Sequence, residues 1–206
     1  MDISYAITVC NERDEIEKLI GFLLENKKDN DEIIVLFDSK NGTDQVEEFL
    51  DTISSSISLF KYPFNHHFAD WKNLLNSFCT KDYIFQIDAD ELPTEDLMYS
   101  LHYLVSQNVD VILVPRENTV SGLTNEHITK WNWQIDSLQR VNWPDYQWRI
   151  YRNDKSIKWV NKVHERLEGF KTHSRLPDNI EYGSLFLQHP KTIKRQEKQN
   201  NFYNTL

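Results

Sequence analysis

Residues 83–93 read YIFQIDADELP, an apolar run that stops on three acids, Asp88, Asp90 and Glu91, before Pro93 is expected to end any extended pairing. Carboxylates gathered this closely repel unless a cation or a set of hydrogen-bond donors compensates them. What the acids are for therefore depends on where the run sits in the chain.

Ahead of it, strand-like and helix-like patterns alternate. Ile3 to Val9 is a short apolar run, followed by Asp14 as an N-cap with Glu17 three residues on, then by Ile16, Leu19, Ile20, Leu23 and Leu24 at helical spacing. EIIVLF (32–37) is a second strand, DSKNGTD a turn, and Val46, Phe49, Leu50 and Ile53 a second helical stripe. Ser58 to Phe64 reads as a weaker strand, and Phe68, Trp71, Leu74, Leu75 and Phe78 as a third stripe. Lys81 to Ile87 is the strand that ends in the acids; Thr94 then caps a helix carrying Leu97, Met98, Leu101, Leu104 and Val105, and VDVILVP (109–115) is a further strand. This series predicts an α/β domain with a mixed, mostly parallel central sheet flanked by helices.

Beyond residue 116 helical periodicity weakens, and five of the six tryptophans fall between 131 and 159. Short mixed strands and loops built onto one edge of the α/β core are expected there. The last stretch, KTIKRQEKQNNFYNTL, is basic and polar and reads as a surface helix or arm. The boundaries are thus a single domain over 1–206, with halves 1–115 and 116–190 and a tail 191–206.

The chain has 206 residues, 39% hydrophobic, enough for one substantial core. A net charge of −9 argues against a dedicated nucleic-acid binder, which needs a basic surface to replace phosphate counterions. Two cysteines, Cys10 and Cys79, make neither a disulfide framework nor a four-thiolate zinc site, and both read as small core residues. No basic n-region precedes the first apolar stretch and no run of about 18 apolar residues occurs, so a cytosolic protein is expected, with peripheral membrane contact open.

In an open α/β sheet ligands bind outside the carboxyl ends of the strands, where Asp88 and Asp90 sit. Hard divalent cations take oxygen ligands and borrow substrate phosphates, so one or two carboxylates and a diphosphate complete a shell of Mg²⁺ or Mn²⁺. The plainer alternative is that Asp90 or Glu91 caps the next helix. An EF-hand calcium loop is excluded, because Leu92 and Pro93 stand where that loop needs an oxygen ligand and a glycine. His189 ends another apolar run, SLFLQH, and is a further candidate ligand that would favour Mn²⁺; a capping or surface histidine is its alternative.

ITVCNERDEIEKLI, IIVLFDSKNGTD and FADWKNLLNSFCTKDYIFQIDADELP, in this order, resemble the nucleotide-sugar-binding half of GT-A glycosyltransferases of the inverting family 2. WVNKVHERL is similar to a Trp-x-x-x-Val-His-Glu segment of small bacterial members, and LQHPKTIKRQEKQNNFY extends the likeness over nearly the whole chain. The resemblance implies a GT-A, Rossmann-like fold and a metal-dependent transfer of a hexose from a nucleotide-diphosphate sugar, most often UDP, to a glycan or lipid-linked acceptor, as in polysaccharide or lipopolysaccharide synthesis. By the same resemblance Thr8, Asn11 and Glu12 lie beside the nucleotide, and Asp38 accepts from a uracil N–H, although SKN lengthens the turn that follows. Lys72 faces the diphosphate. Asp88 holds the ribose or a metal-bound water, and Asp90, as the second acid of the D-x-D motif, coordinates the metal.

An inverting transfer also needs a base for the acceptor hydroxyl. Glu165, in the VHE segment of the tryptophan-rich half, is the first choice, with Glu91, Asp136 and Asp145 as competitors; an ion pair with Arg166, Lys162 or another base is its structural alternative. Trp133, Trp143 or Trp148 suits a sugar-stacking platform, though most rings of the segment are expected to pack the core. Lys191, Lys194, Arg195 and Lys198 either close over the diphosphate, meet an anionic membrane, or form a solvated helix face. Two rival functions remain: nucleotidyl transfer to sugar phosphates, which normally uses a Gly-rich loop where this chain has CNERDE, and a non-catalytic nucleotide- or carbohydrate-binding protein.

Overall fold

The structure, a computed structural model, describes residues 1–179, 181 and 183–203; the final three residues of the basic tail lie outside the described residues. In chain order the strands are β1 (Ile3–Val9), β2 (Glu32–Asp38), β3 (Ser58–Tyr62), β4 (Tyr83–Asp88), β5 (Leu92–Pro93), β6 (Val111–Ser121), β7 (Val141–Arg152), β8 (Lys158–Val160), β9 (Arg166–Glu168), β10 (His173–Arg175) and β11 (Leu187–Thr192). The helices are α1 (Arg13–Asn26), α2 (Asp44–Thr52), α3 (Phe68–Asn76), α4 (Glu95–Ser106), α5 (Asn125–Trp131) and α6 (Ile193–Tyr203). The main sheet runs β3-β2-β1-β4-β7-β6-β11-β5, with β10 also beside β6, and β8 and β9 form a separate hairpin. Among the described residues, five of its eight strand pairings are parallel. The fold is the expected α/β sheet flanked by helices.

Alternation along β1 shows how the sequence builds the two faces. Tyr5, Ile7 and Val9 point to one core, shared with Ile16, Leu19, Ile20 and Leu23 of α1, Val46 and Leu50 of α2, and Leu97, Met98, Leu101 and Val105 of α4. Ala6 points to the other, which holds Ala69, Trp71 and Leu75 of α3 with Trp159 and Leu167 of the hairpin. The sheet is thus covered on both sides, which is why β1, β2 and β4 read as continuous apolar runs. Each fully buried Leu or Ile on these helices contributes about 1.5–3 kcal/mol of burial. Cys79 is buried as expected, while Cys10 is only partly covered.

Four local expectations are corrected. Asp14 does not cap α1: the helix starts at Arg13, and Glu12 precedes it with no side-chain cap bond. The Glu12 carboxylate turns back to accept from the amides of Cys10 (2.8 Å) and Asn11 (2.9 Å), closing the turn ahead of the helix. Pro93 does not end pairing, since Leu92 and Pro93 pair antiparallel with Gln188 and Leu187; β5 is an edge strand, where a missing N–H costs no ladder bond. Glu91 does not cap α4, a task done by Thr94, whose hydroxyl accepts from the Leu97 amide.

The fourth correction concerns the second half. Short strands do occur, β8, β9 and β10 having three residues each, but β6 and β7 span 11 and 12 residues, and β7 is inserted between β4 and β6 in the middle of the sheet rather than at an edge. Register shifts at Ile112/Leu113 and Arg116/Asn118 break the two-residue period that would have announced them.

Gly42 closes the DSKNGTD turn by donating its amide to the Asp38 carbonyl at 2.8 Å. A β-carbon there would fall 2.2 Å from Cζ of the Phe37 ring and 2.5 Å from the Asp38 carbonyl oxygen. Gly42→Ala is therefore expected to lower the unfolding free energy by about 1–3 kcal/mol, read from the urea midpoint at unchanged slope.

Candidate active site

Strand order reverses at β1, whose neighbours are β2 on one side and β4 on the other, so a crevice opens beyond the carboxyl ends of β1 and β4. Thr8 and Asp88 are register partners there, and the Thr8 hydroxyl lies 3.5 Å from Asp88 Oδ1. The acidic turn follows, held from beneath by β7 and β6.

Asp88 Oδ2 is 2.5 Å from Arg149 Nη2, and its Oδ1 accepts from Gln86 Nε2 at 2.9 Å. The same Arg149 nitrogen reaches Glu91 Oε1 at 2.5 Å, and Nη1 donates to Gln86 Oε1 at 2.8 Å. Arg149 is 2% exposed, and its Nε has no hydrogen-bond partner among the described residues. Glu91 is buried as well; it also accepts from Arg116 Nη1 (3.1 Å) and from the Asp88 amide (3.1 Å), while its own amide donates to the Asp88 carbonyl. Burial opposes ionisation of Asp88, but the Arg149 guanidinium and the Lys72 ammonium outweigh it and hold the carboxyl well below its ordinary range.

Asp90 faces away from this pair. Its Oδ2 lies 3.2 Å from His189 Nε2, 3.4 Å from Arg195 Nη2 and 3.9 Å from Lys191 Nζ. Burial again favours the neutral acid, yet the contact with His189, with the Lys191 ammonium nearby, holds Asp90 below its ordinary value. Burial pushes the His189 imidazole down, against the pull of Asp90, and depresses Lys191 likewise. Arg195 on α6 also binds Glu15 and lies 3.4 Å from Glu12. Of the basic tail, then, Lys191 and Arg195 enter the crevice rather than forming a solvated face.

The other expected residues divide. Asp38 is taken up by its own turn: Oδ1 accepts from the amides of Lys40 (3.0 Å), Asn41 (3.2 Å) and Phe64 (3.1 Å), and Oδ2 from Asn41 Nδ2 (2.8 Å). This is an Asx-type closure, in which the carboxylate holds the turn that follows β2. Asn11 is exposed at the lip of the crevice. Burial pushes the Glu12 carboxyl up, partly offset by the Cys10 amide.

Lys72 and Glu165 meet each other, Nζ to Oε1 at 2.6 Å, both largely buried, with the ammonium 4.5 Å from the Trp159 ring. Glu165 follows Asn161 and His164, whose φ of 76° and 52° hold the connecting loop in a conformation few side chains adopt. Its competitors are engaged otherwise: Asp136 with Arg140 at 2.6 Å, Asp145 with Arg116 at 2.7 Å and Asn118 at 2.9 Å, and Glu91 as described. Trp159 packs the core, Trp148 contacts Phe170, Trp143 contacts Phe186 and Arg140, and Trp133 lies partly exposed against Trp131.

Among the described residues no group of three or more His, Cys, Asp or Glu side chains converges on one point, so a protein-only metal cage is absent. Asp90 and His189 remain: one carboxylate and one imidazole, facing at 3.2 Å and buried, which is a donor pair that fits a Mn²⁺- or Mg²⁺-type ion completing its shell from phosphates and water. Asp88 already serves Arg149 and Gln86. Arg149, Arg116 and Asn118 were missed in the sequence, since each lies 25 or more residues from the acids it serves.

The model of the family described as Glycosyl transferase family 2 matches residues 4–189. Among solved structures, S. aureus TarS 1-349 in complex with UDP-GlcNAc is similar at 14% identity and a TM-score of 0.64, over 93% of this chain and 59% of that one. The same fragment in complex with UDP is similar at 15% and 0.61, over 92% and 60%. The chain thus spans about three fifths of these structures' length, and at such identities the likeness is one of fold. No curated protein matches the sequence.

Because the folded Asp88 and Asp90 titrate below their unfolded values, their stabilisation is complete above the ordinary carboxylate range and is lost as pH falls from about 4 through the folded values. Urea unfolding between pH 7 and 2 is expected to show a flat contribution near neutrality and a steep loss below about pH 4. In Asp88→Asn that acid slope should be shallower; an identical slope would remove Asp88 from its cause.

Proposed function

The chain belongs to glycosyl transferase family 2, and from that premise we propose that it transfers a hexose, with inversion, from a nucleoside diphosphate sugar to a glycan or lipid-linked acceptor, with a divalent cation bound. The observation that carries this reading is the meeting, across the switch-point crevice, of Asp90 with His189, Lys191 and Arg195. A diphosphate brings the negative charge that Lys191 and Arg195 are placed to receive, and the oxygen ligands that Asp90 and His189 lack. UDP is the favoured nucleotide; the two similar structures are complexes of UDP-GlcNAc and UDP.

In this reading Asp90 and His189 hold the cation, Mn²⁺ in preference to Mg²⁺ because one ligand is an imidazole. When bound, the cation neutralises charge on the departing diphosphate. Thr8, Asn11, Glu12 and Asp88 line the nucleoside side of the crevice, Asp88 through the ribose or a water rather than the metal. Lys191 and Arg195 approach the leaving phosphates.

Glu165 is the base: it accepts the proton of the acceptor hydroxyl as that oxygen bonds to the anomeric carbon and the bond to the diphosphate breaks on the opposite face. The buried ion pair with Lys72 fixes the carboxylate in position, and a diphosphate that draws Lys72 toward itself would release it for that task. Residues 1–115 are assigned to the donor and 116–190 to the acceptor, with His189 reaching back to the donor. Among the described residues no helix is long and apolar enough to cross a membrane.

Thermal unfolding with UDP, GDP and dTDP, with and without Mn²⁺, tests the donor site. Saturation at about 100 times the dissociation constant is expected to add about 2.7 kcal/mol with UDP and Mn²⁺, and Asp90→Ala should abolish the cation-dependent part. If no nucleoside diphosphate raises the midpoint in the presence of metal, the donor reading fails.

A second variant separates binding from chemistry. Glu165→Gln should keep the UDP-dependent shift and lose transfer by about 10²–10⁴-fold, the range of general-base catalysis. Normal transfer by this variant would reassign the base.

A further inference from the structure

We propose that Asn118 is a positioning residue that sets the tautomer of His189, and that the Arg116–Asp145 ion pair acts through it to present the His189 Nε2 lone pair to a cation beside Asp90. The inference rests on the reading of Asp90 and His189 as a cation site. Asn118 on β6 and His189 on β11 are direct register partners in a parallel pair, so their side chains leave the sheet on the same face.

The orientation of the Asn118 amide is determined by its other neighbour. Its Nδ2 donates to Asp145 Oδ2 at 2.9 Å. That oxygen also accepts from Arg116 Nη2 at 2.7 Å and Nε at 3.0 Å, while Gln147 Nε2 donates to Oδ1 at 2.7 Å. An ionised carboxylate only accepts, so turning the Asn118 amide over would set two oxygens against each other. Asn118 Oδ1 therefore faces His189 Nδ1, at 2.6 Å. A carbonyl oxygen also only accepts, which places the hydrogen on Nδ1.

A neutral imidazole carries one N–H, so Nε2 is then the lone pair, directed at Asp90 Oδ2 3.2 Å away. Two acceptors facing each other across that gap make a place for a cation. The opposite tautomer would place a hydrogen on Nε2, donate it to Asp90, and close the same gap with a hydrogen bond. Partners of this kind behind a metal-bound histidine typically alter metal affinity by about 10–100-fold when removed. Arg116 extends the chain of contacts, since its Nη1 holds Glu91, which in turn accepts the Asp88 amide. One guanidinium thus ties the acidic turn to the group that orients its opposing histidine.

Protein labelled with ¹⁵N in histidine, free of metal and near neutral pH, is the test material, with the His189 signals assigned by their loss in His189→Gln. Long-range ¹H–¹⁵N spectra of the wild type are expected to show the Nδ1–H form. Asn118→Leu should change the signature to Nε2–H, and should weaken Mn²⁺ binding in the presence of UDP, followed by the electron paramagnetic resonance of free Mn²⁺, by about 10–100-fold. Exchanging the pair, Asn118→Asp with Asp145→Asn, keeps an acceptor facing Nδ1 and should restore both the signature and the affinity. A folded Asn118→Leu that retains Nδ1–H, or an exchanged pair with the Nδ1–H signature that still binds weakly, overturns the proposal. If Asn118→Leu does not fold, the wild-type spectrum decides, because an Nε2–H signature there overturns it alone. A wild type that takes up no Mn²⁺ with UDP instead overturns the cation reading of Asp90 and His189, and is distinguished by an intact Nδ1–H signature.

Discussion

One guanidinium organises the crevice. Arg149, buried in the middle of β7, shares a single nitrogen between Asp88 and Glu91 and sends the other to Gln86. Desolvating one cation and two anions is costly, and the attraction offsets that cost only when geometry and hydrogen bonding are close to complete. Here they are complete apart from the Arg149 Nε. Removal of the cation would leave two carboxylates opposed within one turn, Glu91 fully buried and Asp88 partly so. The acidic turn therefore depends on β7 being central to the sheet, and the insertion of β7 between β4 and β6 is the feature of the fold that the site most requires.

Once Asp88 and Glu91 are neutralised from below, Asp90 is left as the member of the cluster directed at the crevice. Its neighbours come from the far end of the chain: His189 and Lys191 on β11 and Arg195 on α6. Three positively charged or ligating groups around one carboxylate would be excessive for a structural ion pair. In the proposed function the site also receives a diphosphate, whose added charge would separate Lys191 and Arg195 from Asp90 without leaving any of them unpaired. Arg195 is already shared with Glu12 and Glu15, so α6 is tied to the start of α1 across the opening.

The parts of this arrangement legible in the sequence are the local ones. β1, β2 and β4 are buried on both faces and short, so their apolar runs stand out, and the stripes of α1, α3 and α4 are buried at most positions, Leu24 being exposed and Phe68, Leu74, Phe78 and Leu104 half-buried. The acidic turn was legible as charge at a strand end, and so was the pairing of D-x-D with a strand-terminal histidine as candidate ligands. Arg149 was not, because QWRIYR looks like an ordinary half-exposed strand until its partners, 58 and 61 residues away, are in place. Asp38 and Glu12 show the converse: an acid in the right place for a nucleotide is also in the right place to close its own turn, and sequence spacing does not separate the two. In the second half, bulges erased the strand period, and tryptophans are compatible with core and surface alike.

Lys72 and Glu165 carry the same point into the chemistry. The sequence keeps them apart, one toward the diphosphate and one toward the acceptor proton, and the structure joins them in one buried pair between α3 and the loop after β8. The pairing places the donor and acceptor readings on a single contact. If Lys72 turns toward a diphosphate, Glu165 loses its partner in the same movement, in a pocket walled by the Trp159 ring where an unpaired carboxylate is poorly solvated. A proton from an acceptor hydroxyl then satisfies it better than water can. Occupancy of the donor site and readiness of the base would thus be coupled through 2.6 Å of ion pair, without a hinge or a lid.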